Sequence, residues 1–149
     1  MKIAMTFDHA GFDYKAELVD FVKCLGHDVD DYGTTSSASC DYPDLAIPAC
    51  ESVVSGKNDC AILVCGTGIG MSITANKVHG IRCALCHEQF SARMTREHNN
   101  ANALALGARV TGIELAKEIV RTFLETDFPA AERNARRIGK ITAYEGTIK

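Results

Sequence analysis

Apolar residues along the chain fall into two patterns, short unbroken runs and longer stretches with helical spacing. Residues 2–7 (Lys-Ile-Ala-Met-Thr-Phe), 60–65 (Cys-Ala-Ile-Leu-Val-Cys), 81–86 and 103–106 are runs of the first kind. A run so short and so uniformly apolar reads as a strand covered on both faces, as in a parallel sheet. Residues 29–32 supply a further, more polar strand. Between the strands, Leu18, Phe21, Val22 and Leu25 recur at helical spacing and stop at Gly26. Helices are also predicted over 43–54, 73–77 and 87–97, with Pro48 either delaying or bending the first of these. Thr111-Gly-Ile-Glu114 has capping-box spacing and opens a helix with Ile113, Ala116, Val120 and Phe123 on one face. A last helix, 130–141, is mixed in character and carries Arg133, Arg136, Arg137 and Lys140. Strands alternating with helices predict an α/β, doubly wound, Rossmann-like fold, with a five-stranded parallel sheet and helices on both faces.

Composition narrows the class. With 149 residues, 46% hydrophobic and 23% charged, residues 1–149 are expected to form a single domain with a sizeable core. A net charge of −3 argues against a nucleic-acid or anionic-membrane partner. Met1-Lys2 leads directly into a strand with no signal peptide, and no apolar run approaches the ~20 residues of a membrane span. The expected compartment is therefore the cytoplasm. Seven cysteines, an odd number, then read as reduced thiols. Cys83-Ala-Leu-Cys86-His87 matches a haem-attachment pattern, but strand alternation would point the two thiols to opposite faces. No pair of ligand pairs has zinc spacing, so neither metal nor cofactor is expected.

The chemistry centres on Asp59-Cys60-Ala61-Ile62-Leu63-Val64-Cys65-Gly66-Thr67-Gly68-Ile69-Gly70-Met71, a buried strand that runs through three glycines into a helix start. Ligands bind beyond the carboxyl ends of parallel strands, and Cys65 stands at that end. Gly66, Gly68 and Gly70 let the loop's N–H groups turn inward as a cup for negative charge, which also favours thiolate over thiol at Cys65. The glycine spacing is not the dinucleotide fingerprint, the Lys-Ser/Thr of a P-loop is missing, and no arginine follows Cys65 before Arg82, as a cysteine phosphatase requires. A glycine-rich turn with an inert buried cysteine fits the loop alone equally well. Convergence raises the functional reading, because Asp8-His9, Cys65 and Arg109 all follow strands and so share one edge of the sheet. His98 precedes a strand, which puts it at the opposite edge of its own chain. Singly, Asp8 reads as an N-cap, His98 as a helix C-cap, Arg133 and Arg137 as a solvated face, His27, His79 and His87 as surface residues, and Cys24, Cys50 and Cys60 as inert thiols.

Seven segments, in order and over nearly the whole chain, resemble type B ribose-5-phosphate isomerases: Asp8-His9-Ala-Gly-Phe, Asp41-Tyr42-Pro43, Cys65-Gly-Thr-Gly-Ile-Gly, Ala75-Asn76-Lys77, Gly80-Ile-Arg82, Arg96-Glu97-His98-Asn99 and Leu106-Gly-Ala-Arg109-Val. The wider family includes allose 6-phosphate and galactose 6-phosphate isomerases. The resemblance implies an aldose–ketose isomerase acting on a small phosphorylated sugar through an enediolate. Cys65 would carry the proton between C2 and C1, and His98, with Asp8 as partner, would open the furanose ring. The loop from Gly66 and Thr67 through Gly68, Ile69 and Gly70 would hold the enediolate, and Asn99 the sugar hydroxyls. His9, Arg109, Arg133 and Arg137 would hold the phosphate. Some relatives use a glutamate where this chain has Met71, which leaves the base to Cys65. A Gly-Gly-Arg-His segment of the family reads Ala130-Ala-Glu132-Arg133-Asn134 here, and Arg133 and Arg137 keep the family's four-residue arginine spacing. The resemblance also implies a homodimer, with a tetramer as the alternative, sites shared between chains, and helix 130–141 at the dimer interface.

Overall fold

The computed structural model describes residues 1–147. Strands β1 (Lys2–Phe7), β2 (Asp28–Asp31), β3 (Cys60–Cys65), β4 (Cys83–Leu85) and β5 (Ala103–Gly107) make one sheet in the order β2-β1-β3-β5-β4. All four pairings are parallel. The unbroken apolar runs occupy its centre: every residue of β3 and β5 is buried. The polar strand β2 (Asp-Val-Asp-Asp) lies at one edge and the short β4 at the other, where one side of the backbone ladder stays open.

Side-chain alternation splits the core into two unlike layers. Ile3, Met5, Phe7, Ile62, Val64, Leu104 and Leu106 face α1 (Phe12–Cys24) and α5 (Ile113–Glu125), meeting Leu18, Val22, Ile119, Val120 and Phe123. On the other face Ala4, Ala61, Leu63, Cys65, Ala103 and Ala105 meet α2 (Tyr42–Val54) and α3 (Ile69–Ala75) through Ala46, Ala49, Cys50, Met71 and Ala75. The bulky layer holds its helices at ordinary spacing, while the alanine-rich layer lets α2 and α3 settle close to the strands. Cys83 belongs to the second layer and Cys86 to the first, so that pair is split by the sheet. Helix α4 (Gln89–Asn99) packs beside α5, and α6 (Glu132–Glu145) beside α4.

Several boundaries differ from the sequence reading for identifiable reasons. Helix α2 runs through Pro48, whose exposed position loses one internal hydrogen bond without a clash into the core. Helix α3 ends at Ala75 instead of reaching Lys77, because the Asn76 side chain bridges Ser72 O at 2.9 Å and both Cys83 O and Cys83 N at 2.9 Å. The expected capping box is not made: the N-cap of α5 is Gly112, one residue late, and the buried Thr111 hydroxyl has no partner. Asp8 is not the N-cap of α1, which is Gly11; its carboxylate instead accepts the N–H groups of Ala10 (2.8 Å) and Gly11 (3.0 Å) in the preceding turn. Helix α6 extends to Glu145, whose carboxylate accepts Gly80 N–H at 3.0 Å and ties the helix end to the loop before β4.

The two layers differ in their tolerance of added volume. Replacing Ala61, fully buried on the alanine-rich face, by Leu is expected to lower stability by about 1–3 kcal/mol through overpacking. Urea unfolding measures this, and an unchanged midpoint would show that α2 and α3 do not sit close to the sheet.

Candidate active site

Cys65 ends β3 opposite Gly107 of β5 and is 5% exposed. Its sulfur accepts the Gly68 N–H at 3.1 Å, and the Thr67 hydroxyl accepts the Ile69 N–H at 3.3 Å. These two donors of the cup are thus spent inside the loop, in contrast to the sequence picture in which all point to a ligand. The N–H groups of Gly66, Thr67, Gly70 and Met71 have no acceptor among the described residues. Met71 itself is fully buried in the layer beneath.

Two glycines are required by their neighbours. Gly68 has φ +77°, and a side chain there would press on the backbone of Leu106. At Gly107 an added Cβ would come within 2.6 Å of Thr67 C and O, so the loop rests directly on the end of β5. That contact brings in Arg109, whose N–H donates to Gly66 O at 2.9 Å and whose side chain lies over Gly66. Its guanidinium makes no ion pair among the described residues. Asp8 and His9 follow β1, the other neighbour of β3, and Asp8 N–H donates to Val64 O at 3.0 Å. His9 Nδ1 accepts the Cys40 N–H at 3.3 Å.

His98, Asn99, Arg133 and Arg137 form a second group at the amino edge of the sheet. His98 and Asn99 lie in the last turn of α4, which runs back toward the start of β5, and both are exposed. Asn134 is buried with its amide on Glu97 O at 3.3 Å, which sets the part of α6 that carries the exposed Arg133 and Arg137 beside the last turn of α4. The length of β5, five residues at about 3.3 Å each, separates this group from Cys65 by roughly 15 Å. Within one chain the structure therefore gathers Asp8, His9, Cys65 through Gly70, and Arg109, and does not bring His98, Asn99, Arg133 or Arg137 to them. Arg82 and Arg96 near the second group are struts: Arg82 donates to Asn99 O and Asn100 O, and Arg96 to Thr126 O and Ala101 O.

A family model described as Ribose/Galactose Isomerase matches residues 3–141. The chain belongs to that family. It is similar to ribose-5-phosphate isomerase B of Escherichia coli (46% identical, 97% of this chain and 96% of the relative) and to D-erythrulose-4-phosphate isomerase of Pectobacterium atrosepticum (43%, 97% and 95%). The solved structure of Clostridium thermocellum ribose-5-phosphate isomerase B covers 98% of each chain at 50% identity with a TM-score of 0.95. The resemblance to type B ribose-5-phosphate isomerases, and the α/β fold with a parallel sheet expected from the alternation of strands and helices, are borne out. No helix among the described residues is long and apolar enough to cross a membrane.

Tyr42 is a candidate that reasoning from residue types overlooked. Its ring lies against Gly70, where an added Cβ would meet ring atoms at 2.7 Å, and its hydroxyl makes no hydrogen bond among the described residues. The signal was present in the Asp41-Tyr42-Pro43 segment shared with the family, to which no role had been attached.

The cysteines differ in their surroundings. Burial pushes the thiols of Cys50 and Cys60 up to about 12 and raises Cys83 and Cys86 as well. With pKa values so far above neutral pH these four carry little thiolate. Iodoacetamide near pH 7 is therefore expected to spare Cys50, Cys60, Cys83 and Cys86 and to modify the exposed Cys24 as an ordinary surface thiol. Cys65 is expected to label too, and a bound sugar phosphate to protect Cys65 without protecting Cys24. Peptide mass spectrometry reads each site, and a Cys65 that is inert, or labelled equally with and without ligand, would remove it from the site.

Proposed function

We propose that the chain interconverts D-ribose 5-phosphate and D-ribulose 5-phosphate, an aldose–ketose isomerisation of the pentose phosphate pathway, in the cytoplasm. The observation that carries this reading is a cysteine at the carboxyl end of β3 inside a loop whose backbone N–H groups are in part unspent among the described residues, with an arginine beside it that makes no ion pair among them. In the open-chain sugar the Cys65 thiolate removes the C2 proton, the O2 hydroxyl proton passes to O1 of the enediolate, and the Cys65 thiol returns its proton to C1. The negative oxygen of the enediolate meets the N–H groups of Gly66, Thr67, Gly70 and Met71, donors already in position before the charge develops. Arg109 and His9 hold the phosphate from this edge, and the guanidinium offers fork-shaped contacts to it.

Ring opening by His98, contacts of Asn99 to sugar hydroxyls, and phosphate contacts of Arg133 and Arg137 come from a second copy. The amino-edge group of one chain approaches the carboxyl edge of the other across a two-fold axis, making a homodimer with two shared sites. Exposed apolar residues next to each group support this: Ile141 and Tyr144 on α6, and Tyr42, Ile69 and Ile73 around the loop.

A second reading, an isomerase of hexose 6-phosphates or of a four-carbon phosphate, uses the same residues. The similarity to an erythrulose-4-phosphate isomerase favours testing it. A non-catalytic binding subunit is disfavoured because binding alone needs no thiolate. A panel of aldose and ketose phosphates on the purified protein decides: ribose 5-phosphate is expected to have the highest kcat/KM. A hexose or tetrose phosphate turned over about tenfold better would replace the pentose assignment.

Cys65→Ala is expected to fold and to bind sugar phosphate while losing turnover by about 10²–10⁴-fold, the contribution of a positioned base. Calorimetric binding beside activity checks both halves, and near-wild-type turnover would exclude Cys65 as the base.

Sharing of the site is tested by mixing Cys65→Ala with His98→Asn chains, each inactive alone. Random reassortment is expected to restore about a quarter of the sites. Background activity, with heterodimers seen by native mass spectrometry, would place the whole site within one chain.

A further inference from the structure

The loop between β2 and α2, residues 33–40, ends against the imidazole of His9. Cys40 N–H lies 3.3 Å from His9 Nδ1, and Cys40 Sγ lies 3.9 Å from the same nitrogen. A main-chain N–H can only donate, so the nitrogen that receives it presents a lone pair and carries no proton. The ring proton then belongs to Nε2, which has no acceptor among the described residues. Protonation of Nδ1 would set two donors face to face and lose the hydrogen bond.

We propose that the Cys40 main-chain N–H is a positioning group that holds His9 in its neutral Nε2–H tautomer, so that His9 presents the substrate phosphate with a hydrogen-bond donor and not a charge. The proposal rests on the phosphate-binding role given to His9 above. The division of labour leaves charge neutralisation to arginine, which stays cationic at any physiological pH.

The loop that carries the Cys40 amide is anchored at its start and at its end. At the start of the loop, Thr34 N–H donates to Phe7 O at 2.9 Å, and an added Cβ on Gly33 would come within 2.7 Å of Phe7 N. Lys15 closes this end, with its ammonium 2.6 Å from Thr34 O and 2.7 Å from the Asp31 carboxylate. At the other end Asp41 is the N-cap of α2, and the Tyr42 ring is packed on Gly70. Cys40 therefore sits beside the N-cap of α2, at the end of a loop whose start is fixed at residues 33–34, and its N–H belongs to the main chain whatever side chain it carries.

Long-range ¹H–¹⁵N NMR of histidine-labelled protein, with His9 assigned by the signal lost in His9→Gln, reads the tautomer directly. The wild type is expected to show an unprotonated-type Nδ1 and a protonated-type Nε2 near neutral pH. Cys40→Ala retains the N–H and is expected to keep that signature, whereas Cys40→Pro removes the donor and is expected to give mixed tautomers. Cys40→Pro should also bind inorganic phosphate about three- to tenfold more weakly, the effect of one hydrogen bond. A wild-type Nδ1 that carries the proton, or a Cys40→Pro protein with wild-type tautomer and phosphate affinity, overturns the proposal. If Cys40→Pro fails to fold, the wild-type and Cys40→Ala spectra decide alone. Failure of the isomerase reading looks different: no sugar phosphate is turned over while the His9 signature is intact.

Discussion

The glycine loop after β3 lies on the carboxyl end of β5, and most of the site follows from that contact. Thr67 touches the position where any residue larger than glycine at 107 would place its Cβ. Because the backbones meet there, Cys65 is held at the end of the strand with its sulfur on the Gly68 N–H, and Arg109 is brought across Gly66. The contact exists only because β5 is inserted between β3 and β4. Had the strands followed sequence order, the loop after β4 would adjoin the glycine loop, and Arg109 would stand one strand farther away.

The same sheet that gathers Asp8, His9, Cys65 and Arg109 keeps the candidate residues of α4 and α6 away from them. A parallel strand has two chemically different ends, and its length fixes their separation. His98 and the arginines of α6 collect at the amino ends because α4 must return there before β5 begins, and Asn134 and Glu145 tie α6 to that edge. The two groups are complementary in content, one holding thiol and backbone donors and the other imidazole and guanidinium groups. In the proposed function a second copy joins them, which links assembly to chemistry there.

Under the proposed function the carboxyl edge also divides phosphate recognition between kinds of donor. Arg109 would supply the fixed charge, having no ion pair among the described residues, and His9 the donor whose tautomer the Cys40 amide is proposed to hold. Asp8, buried beside them, is committed to the turn that carries His9, since its carboxylate accepts the Ala10 and Gly11 N–H groups. Its bonds keep the first turn after β1 compact, so that Gly11 can pass close to the backbone of Val64.

Local pattern was enough to read the five strands, the helices between them and the edge shared by Asp8, His9, Cys65 and Arg109, because buried parallel strands are apolar throughout and their loops emerge at predictable ends. It was enough, too, to see that His98 belongs to the other end. Strand order was not legible, since the pairing of β5 with β3 depends on which faces fill best and not on residues near either strand. The fate of single donors was equally hidden. Gly68 N–H turning to its own cysteine, Thr111 missing the cap of α5, Tyr42 lying on Gly70 and Cys40 meeting His9 all join residues by distances that only packing sets. Sequence by itself determined which stretches are strand, helix and loop, to within a few residues at their ends, because those depend on local periodicity and side-chain type. Tertiary structure decided which of them touch, because contacts across a sheet depend on topology and close packing that no short stretch of chain contains.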